Sequence, residues 1–199
     1  MDYLIHLIQV TGYFGYVILF IIIFFESFPP TFFLPGDSLL FTTGFLASQG
    51  HFDLALLVIV LYTASVLGYM FSYAMGQWLR DLILQSNDRY WFKKKHLDQT
   101  QHFFDKYGDK TIVIGRFVPV VRSFAPTLAG SVQMSYKKFV RDTLVGGLLW
   151  TGGVTSAGFY LGQALPGVDL YLTPIILGII FVSLLPAVIE YIRARKKKV

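Results

Sequence analysis

The sequence predicts an all-α integral membrane protein, built as an inverted repeat with two re-entrant hairpins and about four spanning helices. Three observations point there. Long stretches carry no charge, every Lys and Arg lies at residue 80 or beyond, and two proline-punctuated apolar segments hold isolated ionisable groups. The chain is 54% hydrophobic and only 15% charged, so it has little polar material for a water-facing surface. Its 199 residues suit a single membrane domain.

Crossing roughly 30 Å of hydrocarbon takes about 20 apolar residues. Residues 1–25 form the first expected span, with only His6 and Gln9 interrupting 3–25. The start, MDYLIHLIQV, lacks a cationic n-region, which argues against a cleaved signal peptide. Residues 26–50 hold the first hairpin, ESFPPTFFLPGD and its continuation. The uncharged stretch 54–79 is the next span. Residues 80–110 are a basic cytoplasmic segment, and 111–136 the second hairpin, containing GRFVPVVRSFAPTLAG. Two more spans, 142–165 and 170–191, lead to a basic cytoplasmic tail, 192–199.

Basic residues set the orientation. Seven lie in 80–110, three more are Lys137, Lys138 and Arg141, and five end the chain. The connections at 50–53 and 165–169 have none. Positive-inside bias then puts 80–110, 137–141 and the C-terminus in the cytoplasm. With that polarity, 26–50 starts and finishes outside, and 111–136 starts and finishes inside. Each has about 25 residues, enough for one crossing and too few for two at about 1.5 Å per residue. A half-depth hairpin satisfies both constraints, with Pro29, Pro30, Pro35, Gly36, Pro119, Pro126 and Gly130 shaping the bends. Irregular backbone at membrane depth survives only where protein buries it or water reaches it. Two such hairpins from opposite faces would meet near the midplane, as in inverted-repeat transporters.

Residues 89–107 alternate aromatic and apolar groups with Lys and Asp, which suits a helix lying in the interface or docked on the bundle. Gly68, Ser72 and Gly76, then Gly147, Thr151 and Thr155, recur every fourth residue, as do Gly158 and Gly162. Such faces allow close helix approach, within one bundle or across a homodimer.

Four charges carry the chemistry. An ionisable group in hydrocarbon costs roughly 2.5–3.5 kcal/mol on insertion scales. Arg116 and Arg122 in the second hairpin are therefore expected to act, and a guanidinium fork fits phosphate oxygens. The alternative is a structural ion pair with Glu26 and Asp37. These two carboxylates differ in kind, because they can lose their charge. Burial favours the neutral acid and a neighbouring Arg favours the carboxylate, so a group balanced between the two can carry a proton across. Asp37, after Pro35-Gly36, could instead cap the next half-helix.

Several classes are set aside. Cysteine is absent, so there is no disulfide or thiol nucleophile. His6, His51, His96 and His102 lack metal-ligand spacing, and no cofactor motif or nucleophile elbow is present. The net charge of +5 flanks spans, which argues against a nucleic-acid partner. The terminal RARKKK is expected to attract anionic lipid.

Glu26 with FPPTFFLPGD, and GRFVPVVRSFAPTLAG followed by Met134 and Phe139, resemble the DedA family of membrane proteins, relatives of eukaryotic VTT-domain lipid scramblases. The resemblance covers roughly 10–165. It implies an acidic pair at Glu26 and Asp37 and an arginine pair at Arg116 and Arg122. It also implies a bacterial inner-membrane protein dependent on the proton-motive force, returning undecaprenyl phosphate or another phospholipid across the bilayer. The expected partners are thus a membrane lipid (polyprenyl phosphate or anionic phospholipid) and protons. No enzymatic role is expected. A proton-coupled small-ion carrier or channel, an intramembrane lipid phosphatase and a structural assembly factor remain as alternatives.

Overall fold

The computed structural model describes residues 2–31, 36–80, 100, 102 and 104–164. The expected span 170–191, the basic tail 192–199, Pro35 and most of the basic segment 80–110 lie outside the described residues. Within them the chain is helical throughout. In order come α1 (Asp2–Glu26), a 3-10 turn Pro29–Thr31, α2 (Gly36–Ser48) and α3 (Leu54–Trp78). Then follow α4 (Thr111–Ile114), a 3-10 turn Gly115–Phe117, α5 (Pro119–Ser131), α6 (Tyr136–Gly147), a π-helical turn Leu148–Gly152 and α7 (Gly153–Ala164). Two continuous stretches are long and apolar enough to cross a membrane: Leu54–Trp78 and the α6–α7 run Tyr136–Ala164.

Each helix end has a local cause. Asp53 caps α3 by accepting the Leu56 N–H at 2.8 Å. Pro119 opens α5 at its first turn, where a missing N–H costs nothing. Gly50 breaks the connection to α3 with a φ of +83°, a conformation cheap only for glycine. Pro126 differs from the sequence expectation. It lies inside α5 instead of ending it, so the bend of this segment falls earlier, where Val118 turns extended between the 3-10 turn and α5.

The long helices have one face for protein and another for lipid. On α3, Leu57, Leu61, Ala64, Ser65, Gly68, Tyr69, Ser72, Tyr73 and Gly76 are buried at helical spacing. Ile59, Leu67 and Phe71 on its other side are exposed, as are Val17, Ile18, Ile21 and Phe25 on α1. Exposed apolar faces of this extent suit an acyl-chain solvent.

Two helix pairs bring backbones together in the same way. α5 lies on α3, and α2 lies on α7. A Cβ at Gly130 would strike the Tyr73 carbonyl, while one at Gly76 would strike the Thr127 carbonyl. In the other pair, Gly44 faces the Thr155 carbonyl and Gly158 the Phe41 carbonyl. Gly130 thus serves close packing and not a bend. The small-residue stripes at Gly76 and Gly158 act here within the chain.

Gly130→Leu should force α5 off α3 and lower stability by about 2 kcal/mol or more. Thermal unfolding of the purified protein in detergent measures this; an unchanged midpoint would contradict the close contact.

Candidate functional site

The C-terminus of α1 and the N-terminus of α2 meet α5 at a cluster of charges. Glu26 is the last residue of α1, 2% exposed, and forms an ion pair with Arg122 Nη2. Asp37 sits in the first turn of α2, where the helix dipole favours an anion. Its Oδ1 accepts a hydrogen bond from Arg122 Nη1 at 2.9 Å. One guanidinium therefore spans two carboxylates from two different helix ends. The site is graded in exposure: Arg122 is 3% exposed and the Asp37 side chain 51%.

Trp150 completes this end. Its Nε1–H donates to Asp37 Oδ1 at 2.6 Å, and its ring lies 4.8 Å from the Arg122 guanidinium carbon. It is the central residue of the Tyr136–Ala164 stretch and falls in the π-helical turn. Turns of that kind redirect side chains and recur at functional sites.

Arg116 is held differently. It is fully buried, with its guanidinium carbon 3.6 Å from the centre of the Tyr69 ring. Nη1 donates to Ser65 Oγ at 2.5 Å and Nη2 to the Thr143 carbonyl at 3.3 Å. No carboxylate within ion-pair distance of it lies among the described residues. The structure thus joins Glu26, Asp37 and Arg122 in direct contact and sets Arg116 beside them with neutral partners.

Glycine is required at position 36. A Cβ there would overlap the Glu26 carboxylate, so the start of α2 can close on the end of α1 only without one. The carbonyls of Glu26 at the end of α1 and of Ser27 just after it are also satisfied. Ser123 Oγ of α5 donates to Glu26 O at 3.1 Å, and Ser72 Oγ of α3 donates to Ser27 O at 2.9 Å. Orphan carbonyls at a helix end are costly in a dry setting, and these hydroxyls remove that cost. Of the remaining hairpin prolines, Pro29 begins the 3-10 turn after α1 and Pro30 continues it.

Sequence reasoning missed Ser65, Tyr69, Ser72, Ser123, Thr143 and Trp150. The first three share one face of α3, spaced four and three apart, a polar stripe legible in an otherwise apolar span. Trp150 had no such signal. Among the described residues no cluster of His, Cys, Asp or Glu fits a metal.

Fold and site together define a helical membrane protein with an ion cluster buried between its long helices. The VTT domain matches residues 34–160. Protein DedA of Escherichia coli (strain K12) is 40% identical over 198 residues, covering 96% of this chain and 90% of that protein. An uncharacterized membrane protein of Mycobacterium leprae (strain TN) is 43% identical over 156 residues, 78% of this chain and 70% of its own. Inner membrane protein YqjA of Escherichia coli (strain K12) is 34% identical over 149 residues, 74% and 68% respectively. No solved structure matches. The chain belongs to the DedA family of VTT-domain membrane proteins.

Removing one partner of a buried ion pair leaves the other charge uncompensated, at a cost of about 3–5 kcal/mol. Arg122→Gln should therefore unfold at markedly lower temperature in detergent, and adding Glu26→Gln should recover much of the loss. Additive losses in the double variant would show that the two groups do not interact.

Proposed function

We propose that this protein is a flippase driven by the proton-motive force, returning a polyprenyl phosphate (undecaprenyl phosphate) or another phospholipid across the bacterial inner membrane. The observation that carries this reading is the Arg122 fork, filled on both sides by carboxylates. A phosphate group likewise presents two or more anionic oxygens to the fork, so carboxylate and headgroup compete for one guanidinium. Protonating Glu26 or Asp37 weakens its hold and frees the fork for the headgroup. Loss of the proton on the far side reverses the exchange. Proton and lipid movement are coupled by occupancy of the same donors. The acyl chain stays in lipid, and no bond of the substrate is broken, so the protein acts without being an enzyme.

Three features support a site deep in the bilayer. Trp150 is about 20 Å from either end of its helix, taking roughly 1.5 Å per residue. Ser65 and Tyr69 flank the middle of α3. The α3–α5 and α2–α7 pairs make matching reciprocal glycine–carbonyl contacts, which supports an inverted repeat with its hairpin arms exchanged between halves. The half-exposed Asp37 is the point at which a headgroup or water first reaches the cluster. In this reading the C-terminus is cytoplasmic.

Two measurements test it, using a leaflet-resolved assay of labelled polyprenyl phosphate in vesicles. Glu26→Gln should abolish acceleration by a pH gradient; acceleration equal to wild type would overturn proton coupling through Glu26. Arg122→Lys keeps the charge but loses the fork, and should slow lipid movement by about tenfold. A full wild-type rate in that variant would count against phosphate recognition.

A further inference from the structure

Tyr69 lies beside the charged cluster, its ring under Arg116 and its polar end unspent. It is 1% exposed, and its hydroxyl has no hydrogen-bond partner among the described residues. Arg116, Arg122, Glu26 and Asp37 are all within electrostatic reach of that hydroxyl. Buried hydroxyls in native proteins are nearly always paired, and an unpaired one needs an explanation. The fold does not need this oxygen, because the Tyr69 ring alone supplies the face on which Arg116 stacks. A phenylalanine would serve that packing as well and would avoid the cost of burying an unmatched O–H.

The surroundings share this unspent capacity. Thr143, which holds Arg116 through its carbonyl, has a buried Oγ1 without a partner. The Nε atoms of Arg116 and Arg122 are buried and unpaired as well. Arg116 touches both Tyr69 and Thr143, and its guanidinium has only neutral acceptors among the described residues. The two Nε–H groups are donors and the two hydroxyls can donate, while the Glu26 oxygens lie against Arg122 and Arg116 has no carboxylate of its own among the described residues. The ligand chemistry that answers this is an oxyanion.

We propose that the Tyr69 hydroxyl is a ligand-contacting donor, hydrogen-bonding an oxygen of the phosphate-bearing molecule that engages Arg116 and Arg122. This rests on the transport reading above and extends it by one residue. A phosphate oxygen would give this hydroxyl the partner that no described residue supplies. Binding and stability should then respond in opposite senses when it is removed.

The test compares wild type with Tyr69→Phe as full chains in phosphatidylethanolamine–phosphatidylglycerol vesicles. One arm follows a fluorescent short-chain polyprenyl phosphate between leaflets, and the other follows uptake of radiolabelled inorganic phosphate. Thermal unfolding in detergent is measured alongside. Tyr69→Phe should slow movement of whichever phosphate species the wild type carries by about tenfold, with an unfolding midpoint equal to or above wild type. A wild-type rate in the variant would overturn the inference and leave the transport reading intact. A slower rate accompanied by a lower midpoint would also overturn it, because the hydroxyl would then be structural. If the wild type moves neither phosphate species, the transport reading fails and this inference fails with it.

Discussion

The Arg122 guanidinium, shared by Glu26 and Asp37, is the constraint on which the rest of the structure depends. A buried cation must be matched closely, and here the matching groups come from the last residue of one helix and the first turn of another. That requirement fixes how α1 ends and where α2 begins. It also explains why residue 36 is glycine, since any side chain there would displace the Glu26 carboxylate. Helix α5 delivers Arg122 to this point only because it lies flush against α3.

Flush packing in turn depends on glycine meeting carbonyl. Gly76 and Gly130 let α3 and α5 touch backbone to backbone, and Gly44 and Gly158 do the same for α2 and α7. Without a hydrophobic driving force between helices in lipid, such close contact supplies the dispersion energy that holds them. Hydroxyls then complete the polar accounting. Ser72 of α3 bonds Thr127 of α5, and beside the end of α1 Ser72 and Ser123 satisfy carbonyls that water would otherwise satisfy. Packing and polar satisfaction use the same small residues, which is why the two cannot be varied independently.

The two arginines have different neighbours, and the difference bears on mechanism. Arg122 is bound by charges that can be neutralised, whereas Arg116 is bound by an aromatic face, a serine and a carbonyl that cannot. A proton therefore changes the holding of Arg122 directly and that of Arg116 only through the shared field. Trp150 touches both members of the Arg122–Asp37 pair, with its N–H on Asp37 and its ring on Arg122. The π-helical turn that carries it sits at the middle of the α6–α7 helix, where a local irregularity costs least to the ends.

Much of this was legible in the residues themselves. The uncharged runs pointed to spans at 54–79 and 142–165, and the structure has long apolar helices there at Leu54–Trp78 and Tyr136–Ala164, because length and hydropathy decide what a bilayer accepts. Glu26, Asp37, Arg116 and Arg122 stood out because charge is rare in such surroundings, and rarity is a property of sequence. An ion pair with Glu26 and Asp37 was among the expectations, but which arginine would make it was not legible. Which arginine meets the carboxylates depends on the path of the chain between Gly115 and α5, and Pro126 sits inside that helix without breaking it. Nor could sequence reveal that Tyr69 and Trp150 face the guanidinium groups, since an aromatic residue in an apolar span reads as packing. Sequence determined which groups must find partners, through the energetic penalty of burying them. Tertiary structure decided which partners they found, because contacts between residues 26, 37, 122 and 150 depend on distances in space that no local pattern encodes.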